Sequence, residues 1–265
     1  MNRIEQRFKS LAQQRKAAFI PYITAGDPTL ELTARLVPEL ERAGADIVEL
    51  GVPFSDPLAD GVVNQEAALR ALRHDVSLHD ILAMVGNLRK TCQTPIVLFT
   101  YFNPILAYGL EGFAQDAASA GVDGVLCLDL PPEEASEYCK LMDARNIATI
   151  WLIAPTTPEH RIELIAGIAR GFIYYVSRTG VTGERESMDT SIKDQVAAIK
   201  RHTSTPVAVG FGISKPAHAA EVASCADGVV VGSAIVRLMG QLGDSPEMIP
   251  KVCEFVKSLA SAAKS

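Results

Sequence analysis

The sequence predicts an α/β chain folded as one (β/α)8 barrel, the TIM-barrel architecture, over residues 1–265. Three observations lead there. Short apolar, β-branched runs recur along the chain, each followed by a segment of helical period. Most of these runs are continuously hydrophobic, as strands are when both faces of a parallel sheet are covered. The length of 265 residues suits one such barrel, typically about 250 residues long.

Taken in order, a helix over about residues 2–14 precedes the barrel. The apolar runs then fall at 18–23, 47–52, 96–101, 124–128, 148–153, 172–176, 206–210 and 228–231, eight in all. Strands alternating with helices imply βαβ units, and eight units in one chain favour closure. The joints between them repeat. Ala43-Gly44-Ala45-Asp46, Ala120-Gly121-Val122-Asp123 and Cys225-Ala226-Asp227-Gly228 each lie between a helix and a strand, where glycine supplies a left-handed stop. Thr94-Pro95 and Thr205-Pro206 open two strands, a position that tolerates proline. A further helix over about 246–262 is an addition near the C-terminus, and no linker or second domain interrupts the pattern.

Bulk properties narrow the functions. A net charge of −6 without any basic block excludes nucleic acid as the main partner. Cys92, Cys127, Cys139, Cys225 and Cys253 are odd in number and form no C-x-x-C pair. They read as reduced thiols of a cytoplasmic protein, with no metal site and no disulfide framework. Arg3, Glu5, Arg7 and Lys9 open the chain with no apolar run behind them, so no signal peptide is expected. No run of about 18 apolar residues is present, so no membrane span is expected either.

Barrel active sites lie at the C-terminal ends of the strands. Glu49, inside the second apolar run, is the clearest anomaly there. Alternation places it on one face with Ile47 and Gly51, opposite Val48 and Leu50. Two readings are open: a buried structural ion pair, or a carboxyl in the barrel mouth. In the mouth, burial would raise its pKa above about 4.3, which suits proton transfer in both directions. Asp60, in the following loop Pro53-Phe54-Ser55-Asp56-Pro57-Leu58-Ala59-Asp60-Gly61, either caps a helix starting near Val62 or folds over Glu49 as a second carboxylate. Of Tyr174 and Tyr175, only one can face inward. The loop after them, rich in glycine and hydroxyls, reads as a mobile lid or as an ordinary connection. Gly210-Phe211-Gly212 and Gly232-Ser233-Ala234 follow the seventh and eighth strands, where such barrels often bind phosphate through backbone amides and a helix N-terminus.

Together with Phe19-Ile20-Pro21-Tyr22-Ile23-Thr24-Ala25-Gly26-Asp27-Pro28 and Ser177-Arg178-Thr179-Gly180-Val181-Thr182-Gly183, these motifs resemble the tryptophan synthase α-subunit family across nearly the whole chain. The stretch from Glu49 to Asp60 is the most specific part. The resemblance implies cleavage of indole-3-glycerol phosphate to indole and glyceraldehyde 3-phosphate, with indole passed to a β subunit in an α2β2 assembly. No cofactor is implied in this chain; pyridoxal phosphate is expected only in the β subunit.

The resemblance also implies site roles. Glu49 would be the general acid/base, Asp60 would hold the indole N–H, and Tyr174 would be the inward tyrosine. Gly183, Phe211, Gly212, Gly232 and Ser233 would surround the phosphate. Phe19, Tyr22, Phe99, Tyr101, Leu126 and Ile153 would line the indole pocket. Thr182 and Asp129 would serve loop closure, with Asn103 near the subunit interface. Competing readings are a free-standing lyase with the same residues, a phosphate-binding isomerase, and a catalytically silent regulatory subunit. One departure stands out. The family continues Ala-Asp-Gly with proline, a variable residue, isoleucine and glutamine, whereas this chain reads Gly61-Val62-Val63-Asn64-Gln65.

Overall fold

The computed structural model describes residues 1–177, 191–210 and 212–265. The strands are β1 Ala18–Thr24, β2 Val48–Gly51, β3 Ile96–Thr100, β4 Gly124–Cys127, β5 Ala148–Ile153, β6 Ile173–Val176, β7 Val207–Gly210 and β8 Gly228–Val231. Each pairs in parallel with its sequence neighbours, and β1 pairs with β8 to close the barrel. Helices occupy the crossovers, as parallel neighbours require.

Alternation divides the apolar residues between two cores. Ile20, Ile47, Val97, Leu126, Ile150, Ala208 and Val230 point into the barrel and pack on one another. Their chain neighbours, among them Phe19, Val48, Leu98, Val125, Trp151 and Val229, belong to the larger core between strands and helices. This follows from the period of two in a strand. It also explains the continuous hydrophobic runs, since inner and outer faces are both buried.

The N-terminal helix, Arg3–Gln13, starts at a capping box in which Asn2 accepts from the Glu5 amide and the Glu5 side chain accepts from the Asn2 amide. Its apolar face (Ile4, Phe8 and Leu11) joins the inner core, and the Phe8 ring lies 5.7 Å from that of Phe172. A Cβ added at Gly124, at the start of β4, would come within 2.9 Å of Ile4. The helix therefore plugs the N-terminal rim of the barrel, and ligands must enter from the opposite rim.

The repeated joint motifs staple that lower rim. Asp46, Asp123 and Asp227 each accept a hydrogen bond from a backbone amide on the preceding strand, respectively Phe19, Ile96 and Val207, at 2.8, 2.9 and 2.8 Å. In return each aspartate's own amide donates to the carbonyl of that same residue. Arg89 and Arg3 pair with Asp123 at 2.7 and 2.9 Å, Lys264 and Arg7 with Asp46 at 2.9 and 3.2 Å, and Lys200 with Asp227 at 2.8 Å. A buried carboxylate is tolerated where it is both hydrogen-bonded and paired. No helix among the described residues is long and apolar enough to cross a membrane.

Candidate active site

A cavity of about 210 Å³ opens at the C-terminal ends of the strands. Glu49 reaches it from β2, in register with Tyr22 of β1 and Val97 of β3. Its side chain follows Ile47 inward, as alternation requires, and is 1% exposed. Among the described residues neither carboxyl oxygen has a hydrogen-bond partner, so the reading as a structural ion pair is overturned. Burial alone pushes its pKa up to about 8, because an ionised carboxylate loses hydration that nothing in the wall replaces. At neutral pH the free carboxyl is mostly protonated and close to the point of release.

Asp60 lines the same cavity. It does not cap the next helix: the N-cap of Val62–Leu72 is Gly61, with no side-chain cap bond. Instead the carboxylate is gripped from two sides. Tyr101 Oη donates to Oδ2 at 2.9 Å and Asn64 Nδ2 approaches Oδ1 at 3.5 Å, while the Ala59 amide donates to Tyr101 Oη at 3.0 Å. Burial raises the Asp60 pKa, and the bonds from Tyr101 and Asn64 offset only part of that rise. Burial and the neighbouring Asp60 charge raise the Tyr101 phenol pKa far above its ordinary value, so it remains a donor.

Tyr174 lines the cavity, whereas Tyr175 packs in the outer core, so alternation settles which tyrosine faces inward. Two glycines make room for the inner tyrosines. A Cβ at Gly51 would lie 2.1 Å from Tyr22 Oη, and one at Gly210 would lie 2.3 Å from Tyr174 Oη. Tyr22 and Phe99 meet edge to face, with ring centroids 5.1 Å apart, and form part of the apolar wall.

Gly212, Gly232 and Ser233 lie on the same cavity. Gly212 takes a left-handed φ of 79°, which keeps side-chain atoms off the turn after β7. Gly232 is the N-cap of the helix Ser233–Leu242 and makes no side-chain cap bond there. The first amides of that helix have no acceptor within it, which suits an anion. Gly183, Thr182 and Phe211 lie outside the described residues.

Several expectations need correction. Phe19 and Ile153 sit on the outer faces of β1 and β5, in the core beneath the helices, and cannot touch a ligand in the barrel mouth. Leu126 points inward but does not line the cavity; it packs in the barrel's inner core. Tyr101 is no part of the cavity wall and acts as the support of Asp60. Asp129, expected at loop closure rather than in the wall, stands in a separate cleft, where its carboxylate accepts from the Phe102 amide at 2.6 Å, and the loop it would serve lies outside the described residues. The wall residues that the sequence reading missed include Leu128, Leu152 and Val176. Each follows by two an inward residue, Leu126, Ile150 and Tyr174, so strict period-two counting would have found them. Asn64 was noticed only as a departure, with nothing to place it in the wall.

The family model for the tryptophan synthase alpha chain matches residues 8–264. A tryptophan synthase alpha chain from Geobacter sulfurreducens is 52% identical over 262 residues, covering 99% of both chains. The crystal structure of tryptophan synthase subunit alpha from Legionella pneumophila superposes with a TM-score of 0.91 at 40% identity, over 99% of this chain and 98% of that one. A chain of the tryptophan synthase complex from Pyrococcus furiosus gives a TM-score of 0.84 at 38% identity, over 93% and 98%.

Proposed function

The chain belongs to the tryptophan synthase alpha chain family and is a carbon–carbon lyase acting on indole-3-glycerol phosphate, and from that premise we propose how its residues divide the work. The observation that carries the assignment is one buried, unpartnered carboxyl facing the same cavity as a second, clamped carboxylate.

The reaction is a retro-aldol cleavage. The bond from indole C3 to the hydroxyl-bearing carbon breaks once C3 has been protonated and the hydroxyl proton removed. Glu49 starts protonated, gives its proton to C3, and as a carboxylate takes the proton of the hydroxyl, whose carbon becomes the aldehyde. The electron pair of the broken bond restores the indole ring, and Glu49 ends in its starting state. A rigid strand position suits both transfers, and one positioned acid/base group contributes roughly 10²–10⁴-fold.

Protonation at C3 places positive charge on the ring nitrogen. Asp60, held in place by the Tyr101 hydroxyl, faces that N–H and, as a carboxylate, stabilises the charge where water is excluded. The amides around Gly212 and Gly232 and the N-terminus of the helix at Ser233 hold the phosphate, which fixes the reacting bond against Glu49. Phe211, Gly183 and Thr182 are assigned to phosphate binding and loop closure by resemblance alone. The chemistry consists of proton transfers among these side chains, so no cofactor of this chain is invoked.

The partner is a β subunit, in an α2β2 assembly, which takes up the indole and holds the pyridoxal phosphate. Leu58 and Val62, 93% and 62% exposed beside the cavity mouth, are apolar surface suited to such a contact. A cytoplasmic location fits the reduced cysteines.

Release of glyceraldehyde 3-phosphate from indole-3-glycerol phosphate by the purified chain, alone and with a β subunit, tests this reading. Asp60→Asn is expected to lose about 10²-fold or more in kcat, as removal of a charge-stabilising group does elsewhere, and Asp60→Glu to keep part of the activity. Asp60→Asn at wild-type kcat would remove Asp60 from the mechanism.

A further inference from the structure

Asn64 is the third residue of the helix Val62–Leu72 and stands in the cavity wall beside Asp60. Most of the rest of the wall around it is apolar, formed by Phe99, Leu128, Leu152, Val176 and Val230. Its carboxamide has one sensible orientation. The nitrogen faces Asp60 Oδ1 at 3.5 Å, since an amide oxygen placed there would meet a carboxylate with no proton between them. That choice turns Oδ1 the other way, where it is buried and has no hydrogen-bond partner among the described residues. A buried acceptor left unpaired is costly, and an apolar residue of the same shape would avoid the cost.

We propose that Asn64 is a specificity residue of the ring-nitrogen site, and that it lets this pocket accept indole rings carrying a second hydrogen-bond donor beside the ring N–H. The inference rests on the reading that Asp60 receives that N–H. Donors on neighbouring ring positions, such as N1–H and an O–H on C7, project side by side from one edge of the ring. Asp60 and Asn64 both line the cavity from one segment of chain, four residues apart, with the Asn64 carboxamide nitrogen 3.5 Å from Asp60 Oδ1. The last torsion of asparagine is broad, so rotation about it can turn Oδ1 toward the cavity that the residue already lines. A plain indole leaves the oxygen unpaired. A donor at C7 satisfies it and is therefore favoured over a methyl group of similar size.

The test measures inhibition of indole-3-glycerol phosphate cleavage by indole, 1-methylindole, 7-methylindole and 7-hydroxyindole, in the wild-type chain and in Asn64→Leu. Leucine keeps the shape and removes both polar atoms; Asn64→Ala provides the same comparison if leucine packs poorly. The wild-type chain is expected to bind 7-hydroxyindole roughly three- to tenfold better than 7-methylindole, the range of one neutral hydrogen bond. Both variants should lose that preference, and Asn64→Leu should bind indole itself more tightly. An equal preference in wild type and variants overturns the role of Asn64 while leaving that of Asp60 intact. If 1-methylindole binds as well as indole throughout, the Asp60 reading fails and this inference fails with it.

Discussion

Glu49 was legible as a functional residue because its position contradicts its neighbours. An acid in a run of buried strand residues needs a partner or a purpose, and among the described residues no partner is found. Its environment has a thermodynamic consequence. The folded chain holds a proton on Glu49 up to about pH 8, whereas the unfolded chain releases it near the ordinary carboxylate pKa. Unfolding between those limits therefore releases a proton, and stability falls as pH rises through that window. Glu49→Gln lacks the titration. Its stability advantage over wild type is expected to grow from pH 5 to pH 8, reaching on the order of a few kcal/mol, and to level off above. Urea unfolding across that range measures it, and a constant gap would contradict the buried, proton-holding carboxyl. Asn64 was less legible. A polar residue early in an amphipathic helix is unremarkable in sequence, and only the folded chain shows that its oxygen is enclosed.

Elements were legible in kind and order but not always in facing. β5 shows why. Ala148, Thr149, Ile150, Trp151, Leu152 and Ile153 are almost all apolar or β-branched, so hydrophobicity cannot reveal which set points inward. The sequence reading assigns Ile153 to the wall, whereas Leu152 occupies it. β2 had no such ambiguity, because Glu49 and Gly51 mark one face. The helix Val62–Leu72 raises a separate question, since it holds Asn64 yet starts without a side-chain cap. What fixes it is Arg70, which grips both oxygens of Asp27 at 2.7 and 2.8 Å from the loop after β1. Asp27 is 1% exposed. Arg70→Met should cost about 3–5 kcal/mol by stranding that carboxylate, while the double change Arg70→Met with Asp27→Asn should recover much of it. Urea unfolding of the three variants distinguishes this from a surface pair, for which the single change would cost little.

At the scale of the molecule, the two rims of the barrel do different work. The upper rim holds unpaired or half-paired polar groups around a cavity. At the lower rim, carboxylates are satisfied by strand amides and cations, and the N-terminal helix seals the barrel. The repeated helix-to-strand joints at Asp46, Asp123 and Asp227 were visible in sequence as chain reversals. Their role as staples was not, because the amide each aspartate binds lies 20 to 27 residues earlier in the chain. Asp123 is engaged by Arg3, Arg89 and the Ile96 amide. Asp123→Ala should therefore destabilise the chain by about 3–5 kcal/mol yet leave kcat within about twofold at temperatures where it stays folded. A large loss of kcat with little loss of stability would show that the rims are not independent.

In the proposed mechanism Glu49 both gives and takes the proton, and single-turnover cleavage of indole-3-glycerol phosphate by Glu49→Gln tests this most directly. The variant is expected to bind the substrate with an affinity near that of wild type and to release no glyceraldehyde 3-phosphate above the uncatalysed background. Cleavage at a rate near that of wild type would mean that another group moves the protons.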